Sequence, residues 1–453
     1  MRISMAMTEA TFGDLSSRPG GVESAGVGFA RIARNDSGLT LVLRGIRWLN
    51  DAAYLERTAT EMLISTAHIV RLLRDPGFAK CVPVFVHTHP TGTVSFSDKD
   101  DLVDAALAPL FMGRSRMDVY ASVVVAGTGH DARLVARVLS EGQHHEVEHF
   151  RIVGQRLRIV EHQARRDEGA EMFERQVLAF GSAGQEVLRA MHIGVVGAGG
   201  TGSAVFEQLV RLGVGRITVI DNDALSASNV TRVHEVGVAD AGTAKVELMK
   251  QAAERIGLGT SVNAVEAPLT SKSTLAELTQ CDAVFGCTDD NFGRAILSRL
   301  AFWYMIPVFD MGFKIVSTNG AISGLYGRVT VCGPGLPCLH CRRRIDLAQM
   351  QSEALSPDER ASRVLEGYAV ELGDEEPAVG IFTTQVACLA INEMLARLFG
   401  YGEGDPPSEL LLLPHTRRIQ RLAPPSPREH YCNDPAILGR ADDDPMLGMG
   451  WAS

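Results

Sequence analysis

Apolar and polar positions follow two different rhythms along this chain. Between residues 20 and 130, short apolar runs surround one helical stretch. VGFARIA (27–33) and LTLVLRGI (39–46) have the composition of strands, and TATEMLISTAHIVRLL (58–73) carries apolar residues at helical spacing. VPVFVH (82–87) is the continuous run of a buried strand ending at a histidine, and MDVYASVVVAG (117–127) is another. The pattern predicts a mixed α/β domain over 1–150. The charged stretch that follows, SEGQHHEVEHFRIVGQRLRIVEHQARRDEG, reads as a helical connector over 151–170.

From residue 190 the rhythm becomes strand, turn, helix. HIGVVGAGGTGSAVFEQLVRLGV is a strand, a glycine turn and a helix; RITVIDND is a second strand, AKVELMKQAAERI a helix, and AVFGCTDDN a third strand with its exit loop. Repeated βαβ units of this kind predict a doubly wound parallel sheet, here over 171–402. A partly irregular extension rich in Pro, Asp and Gly is expected over 403–453, and no internal repeat is visible.

Composition narrows the classes of function. A length of 453 residues allows about two or three domains, and 45% hydrophobic with 22% charged residues is ordinary for soluble globular protein. The net charge of −10, with no basic run, argues against a nucleic-acid partner. No apolar stretch reaches the roughly 18 residues of a membrane span, and MRISMAMTEATFGD lacks the apolar core of a secretion signal. The eight cysteines are scattered apart from Cys338 and Cys341, which suits a reducing cytoplasm and one metal clip better than a disulfide framework.

The sharpest local pattern is His87-Thr88-His89-Pro90, then TGTVSF, then Ser97-Asp98-Lys99-Asp100. Two histidines two apart at a strand end point the same way. A carboxylate from the following turn closes the third side of a zinc site and leaves the fourth position for water, whose pKa zinc lowers to about 7. The segment resembles the JAMM motif of the JAB/MPN family, His-x-His-Pro-x6-Ser-x2-Asp, at every defined position. That resemblance implies an α/β metalloprotease fold with His87, His89 and Asp100 as Zn²⁺ ligands and Ser97 steadying an oxyanion. It also implies Glu23, in GGVESAGVGF, as the general base, and a zinc metallopeptidase that cuts the C-terminal peptide or isopeptide bond of a ubiquitin-like protein. A degenerate domain kept for docking is the alternative.

In the second region VVGAGGTGS places Gly197, Gly199, Gly200 and Gly202 between a strand and a helix, where backbone can approach phosphates. Asp221, 22 residues after Gly199, suits a ribose hydroxyl. Alone, this pattern says only that a nucleotide binds. With it come Ser228-Asn229-Val230-Thr231-Arg232, Lys245 in GTAKVELM, CTDDNFGR (287–294) and FERQVLAFGSAGQEVL (173–188). Together they resemble the adenylyltransferase superfamily of ubiquitin-activating enzymes and of ThiF and MoeB proteins, over about 171–400. The resemblance implies ATP and Mg²⁺ as cofactors. Asp221 would hold the ribose, Asn229, Arg232 and Lys245 the triphosphate, and Asp289 the Mg²⁺. Arg175 would reach across a homodimer to the partner's ATP. The implied substrate is the C-terminal carboxylate of a ubiquitin-like or sulfur-carrier β-grasp protein, with a conjugating-enzyme-like protein as a further partner.

Members of that superfamily often hold a structural zinc with two CxxC pairs. Here Cys338 and Cys341 form one pair, and Cys432 in EHYCNDP, with His430 beside it, stands in for the second; plain thiols are the alternative. Between Cys341 and Cys388 there is no cysteine, and Cys388 reads as a core residue, so the usual crossover nucleophile is missing. The acyl-adenylate, an oxyester on Ser or Thr, or a thiol of a partner all remain open as carriers. So do three readings of the whole chain: a ubiquitin-like conjugation enzyme that also removes its tag, a sulfur-carrier activator in cofactor or metabolite biosynthesis, and a scaffold.

Overall fold

The computed structural model describes residues 2–18, 21–78, 80–161, 170–367, 369–372, 377–426 and 429–441. The chain forms two units, one of Met1–Gly154, Arg158–Gln163 and Gly439–Asp442, the other of Gln155–Leu157, Ala164–Leu438 and Asp443–Ser453.

The first unit contains β1 (Arg2–Thr8), α1 (Glu9–Ser16), β2 (Ala25–Asn35), β3 (Gly38–Trp48), β4 (Tyr54–Arg57), β5 (Met62–Ile64), α2 (Thr66–Leu72), β6 (Val82–His89), α3 (Asp98–Ser115), β7 (Val119–Ala126), β8 (Arg133–Ser140), β9 (Gln143–Glu146), β10 (His149–Val153) and β11 (Leu157–Glu161). Nine strands form one sheet in the order β11-β10-β1-β3-β2-β6-β7-β8-β9, while β4 and β5 make a separate hairpin. Both faces of the sheet are covered. Val82, Val84 and Val86 of β6 enter one core with Met5, Leu41 and Phe150, whereas Phe85 enters another with Leu107, Phe111 and Tyr120. A strand buried on both sides needs apolar residues at consecutive positions, hence the unbroken run before His87.

Two expectations fail in this unit. The stretch 58–73 is the β5 hairpin followed by the short α2, because the Thr58 hydroxyl accepts the amides of Thr60 and Glu61 and closes a turn in place of a helix. The connector expected to be helical over 151–170 is strand through Glu161: Phe150 and Ile152 of β10 enter the core, and β10 runs parallel to β1. Tertiary pairing overrides the local charge there, and residues 162–169 lie outside the described residues.

The second unit contains α4 (Glu174–Ala190), β12 (His192–Val196), α5 (Gly200–Arg211), β13 (Arg216–Ile220), α6 (Lys245–Ile256), β14 (Ser261–Val265), α7 (Lys272–Leu278), β15 (Ala283–Gly286), α8 (Asn291–Trp303), β16 (Val308–Thr318), β17 (Ala321–Cys332), α9 (Leu347–Glu353), α10 (Pro357–Leu365), α11 (Gly380–Phe399), β18 (Glu409–Leu413) and β19 (Arg418–Arg421). Its sheet runs β14-β13-β12-β15-β16-β17-β18-β19. The first five strands are parallel, as the βαβ pattern predicts, and the last three pairings are antiparallel. Strand order reverses at β12, whose neighbours β13 and β15 lead away in opposite directions. A crevice outside the carboxyl ends of such strands is where open α/β sheets bind ligands.

The division expected at 402/403 also falls. Strands β18 and β19 extend the same sheet, and Glu409, fully buried on β18, is held by Arg342, Arg344 and Thr330. The paired charges replace the apolar signal that would have marked this strand as core; residues 442–453 lie outside the described residues. Among the described residues no helix is long and apolar enough to cross a membrane.

Candidate functional site

In the first unit, β6 delivers His87 and His89 from its C-terminal end, and Ser97 caps α3 three residues before Asp100. The cap is reciprocal: the Asp100 amide donates to Ser97 Oγ, while the Ser97 amide and hydroxyl each donate to Asp100 Oδ2 at 2.7 Å. Thus locked, Asp100 Oδ1 lies 2.8 Å from His87 Nε2, and Oδ2 lies 3.8 Å from His89 Nε2. The two Nε2 atoms face each other at 3.1 Å. Bonds of about 2.0–2.1 Å to a tetrahedral zinc would separate two ligand nitrogens by roughly 3.3 Å, so the spacing fits that ion. His89 Nδ1 donates to the carbonyl of Thr93 at 3.0 Å, which fixes the tautomer that leaves Nε2 free to ligate. Burial pushes the Asp100 carboxyl up, but the hydrogen bond and charge of His87 and the Ser97 donors outweigh it and hold its pKa far below the usual range.

Glu23 belongs to the same cluster in space. Ser24 and Thr88 are cross-linked by two hydrogen bonds of 2.9 Å, which set the chain before β2 against the end of β6. The Glu23 amide donates to Thr58 O at 2.8 Å, and Arg57 Nε donates to Glu23 O at 2.5 Å. Its carboxyl is raised above the ordinary value by burial and by Asp100, against the pull of His87 and His89. A carboxyl so raised is suited to exchanging a proton. The hydroxyl of Ser97, expected to steady an oxyanion, donates to Asp100 in this structure and so helps to position that carboxylate.

The sequence reading missed the supports behind these groups. Asp104, one turn beyond Asp100 and buried, accepts from Tyr120, Ser122 and Arg137 at 2.5, 2.6 and 2.8 Å. Arg137 also bonds Asp101 and stacks over Phe96, pinning the start of α3 to β7 and β8. The signal for Asp104 was an acidic residue on the buried face of an amphipathic helix.

In the second unit the glycine loop joins β12 to α5. Gly197 has φ +91°, and a Cβ on Gly202 would fall 1.7 Å from Gly197 O, so no side chain fits there. Asp221, at the end of β13, braces the loop: its Oδ2 accepts the Ala198 amide at 2.6 Å and its Oδ1 the Asp223 amide at 2.8 Å. Lys245 Nζ reaches Asp223 at 2.8 Å and Asp221 at 3.8 Å, which sets a cation at the mouth of the crevice. Arg232 lies against Gly200 and donates to Ser228 O at 3.2 Å, and Asn229 occupies the preceding turn. Asp289 follows β15, is exposed, and among the described residues has no ion pair or hydrogen bond. Its neighbour Asp290 is spent on capping α8. Gly197, Gly199, Gly200, Gly202, Asp221, Arg232, Lys245 and Asp289 thus gather around the topological switch point. Arg175 stands elsewhere, exposed in the first turn of α4.

The cysteine clip is closed by the tail of the chain. Cys338 and Cys341 meet His430 and Cys432, all four ligand atoms within 4.8 Å of one another. Cys341 Sγ lies 3.7 Å from Cys432 Sγ, close to the roughly 3.8 Å edge of a tetrahedron of 2.3 Å zinc–sulfur bonds. His430 Nδ1 lies 3.3 Å from Cys338 Sγ and 3.5 Å from Cys341 Sγ. The Cys432 thiol, the Cys341 amide and His430 lower the Cys338 pKa to about 4 against its burial, and the same contact pushes Cys432 up. Cys388, expected in the core, is exposed on α11: the helix turns this position outward, beside a groove rather than toward the sheet. Burial and Asp310 push the Cys287 thiol up, and burial does the same to Cys332, so neither offers a thiolate at neutral pH.

Residues 173–434 match the ThiF family, more than half of the chain. This chain belongs to the ThiF family. It is similar to the molybdopterin-synthase adenylyltransferase of Escherichia coli, at 29% identity over 51% of this chain and 83% of that protein. The SAMP-activating enzyme E1 of Haloferax volcanii is 26% identical over 49% of this chain and 73% of its own length. The adenylyltransferase and sulfurtransferase UBA4 of Yarrowia lipolytica is 33% identical over 37% of this chain and 41% of that one. The ThiF match starts at Phe173 and runs through Cys432, so the tail with β18, β19 and the last cysteine belongs to the family region.

Proposed function

We propose that the ThiF region adenylates the C-terminal carboxylate of a small β-grasp carrier protein with ATP. The observation that carries this is the cluster at the switch point: a glycine loop in which Gly197 and Gly202 admit no side chain, Lys245 and Arg232 beside it, and a carboxylate at Asp289 without a partner among the described residues. In adenylation the carrier's carboxylate attacks the α-phosphate and pyrophosphate leaves. Negative charge grows on the phosphates, where Lys245, Arg232, Asn229 and the amides of the α5 N-terminus meet it. Mg²⁺ would share that charge, with Asp289 as its ligand, and Asp221 would meet the ribose. The relatives, adenylyltransferases of molybdopterin synthase or joined to a sulfurtransferase, support a sulfur-carrier substrate ahead of a conjugated ubiquitin-like one. Arg175, exposed and without an ion pair among the described residues, fits a homodimer in which it reaches the partner's nucleotide. The four-ligand cysteine and histidine group would hold a structural Zn²⁺.

A second activity is supported by the first unit alone. His87, His89 and Asp100 offer three converging ligand atoms near Glu23, the donor set of a catalytic Zn²⁺. The ion would polarise a water or carbonyl there, and Glu23 would take and return the proton in hydrolysis of a peptide or isopeptide bond after the carrier's terminus. That activity favours the ubiquitin-like reading, with a conjugating enzyme as partner and a cytoplasmic setting.

ATP–pyrophosphate exchange tests the main reading. It is expected to require the carrier with a free terminal carboxylate, and Asp289→Ala should lower it on the order of 10²–10³-fold. Unchanged exchange in Asp289→Ala, or binding of a nicotinamide cofactor in place of ATP, defeats it.

A further inference from the structure

Beside the glycine loop, three side chains from distant segments form a hydrogen-bonded relay used by nothing described so far. His234, two residues after Arg232, places Nδ1 2.9 Å from Glu207 Oε2 on α5 and Nε2 2.9 Å from Thr384 Oγ1 on α11. Glu207 is fixed in turn by Arg211 Nε at 2.7 Å, and the His234 amide donates to Ser203 Oγ at 3.0 Å. A carboxylate can only accept, so Nδ1 carries the hydrogen and Nε2 turns its lone pair toward the hydroxyl. Nucleophile, base and orienting acid in this order make an activated hydroxyl. At rest the Thr384 hydroxyl donates to Gly380 O at 2.8 Å within the helix, and its hydrogen turns to His234 Nε2 for the reaction.

The surroundings suit a chain terminus. Thr384 borders a groove of about 740 Å³ lined by Ile381, Gln385, Cys388 and Leu389 of α11 with Leu412 and Ile419 of β18 and β19. The adjacent Thr383 hydroxyl would lie 3.2 Å from a Cβ on Gly200, so Thr384 is one residue from contact with the glycine loop. The chain also has no cysteine between Cys341 and Cys388 to take an acyl group.

We propose that Thr384 is an acyl acceptor: it takes the activated carrier from the acyl-adenylate as an oxyester, with His234 as base and Glu207 as the residue that positions it. The proposal rests on the adenylation reading, which supplies the donor. Thr384 Oγ bonds to the carbonyl carbon of the carrier's last residue, and the bond from that carbon to the AMP phosphate oxygen breaks. AMP departs with the electron pair, and the hydroxyl proton passes to His234 Nε2 and then to water. No oxidant or reductant is needed. The ester is then open to attack by an amine or thiolate, so the reaction that consumes it is a second acyl transfer.

The test bypasses ATP. A synthetic peptide ending in Gly-Gly, supplied as its preformed acyl-adenylate, is incubated with the full chain and followed by intact mass and peptide mapping. The wild type should gain one peptide on Thr384 through a bond that resists dithiothreitol and yields to hydroxylamine. Thr384→Ser should keep the adduct, Thr384→Val should lose it, and His234→Gln should slow its formation on the order of 10²–10⁴-fold. No hydroxylamine-sensitive adduct on the wild type, or one mapped to any residue but Thr384, overturns the proposal and leaves His234 a polar bridge between α5 and α11. Exchange of pyrophosphate by the wild type separately decides whether the adenylation reading stands.

Discussion

The two clusters of candidate metal ligands in this molecule are assembled in opposite ways. His87, His89 and Asp100 lie within 14 residues of one another, and a strand end followed by a helix cap brings them together. Cys338 and Cys341 wait for His430 and Cys432, some 90 residues later, after three helices and two strands have intervened. The first cluster offers three ligand atoms near an acid whose pKa is raised; the second offers four. Short-range assembly brings the three first-site side chains together, while Arg57 and Arg137 brace them from elsewhere in the unit. Long-range assembly makes the second a clasp whose ligands hold the tail in place.

Metal removal should separate the two most widely. Cys432→Ala should cost its unit the metal and much of its stability, since structural zinc binding is coupled to folding. His89→Ala should cost one zinc per chain with little change in melting. Metal analysis with thermal melts on both variants checks this, and equal melting shifts would erase the distinction. Next in size, Glu23→Gln should keep the zinc and slow hydrolysis after the carrier's terminus by about 10²–10⁴-fold, because an amide cannot carry the proton. Zinc loss in Glu23→Gln would show that Glu23 is a ligand instead. The smallest effect is expected for Ser97→Ala. Losing the cap should cost about 1 kcal/mol, and loosening Asp100 should weaken zinc binding by about 10–100-fold. Competition with a chelating dye reads the second number, and an unaltered affinity would mean that Asp100 does not depend on its cap.

Legibility followed the range of the interaction. The buried strand that carries His87 and the glycine loop after β12 are written in consecutive residues, and each is found where its pattern placed it. The connector over 151–170 and the division at 402 misled because β10 and β18 carry buried charges, Arg151 and Glu409, that look like surface until their partners are known. Cys388 misled in the other direction: an apolar helix with a cysteine reads as core, but the side it faces is set by how α11 packs on the sheet.

The sequence by itself determined the parallel βαβ sheet, the glycine loop, and a histidine pair with its carboxylate at the end of a strand. Each depends on backbone geometry that repeats every two to four residues, so the order of residue types is enough. Only the tertiary structure decided that Ser97 serves Asp100 and that Arg57 and Arg137 brace the first cluster. It alone brought Glu207, His234 and Thr384 into one line. Hydrogen bonds and metal ligation act over about 3 Å, and neighbours at that distance are chosen by the packing of whole elements, which no local pattern encodes.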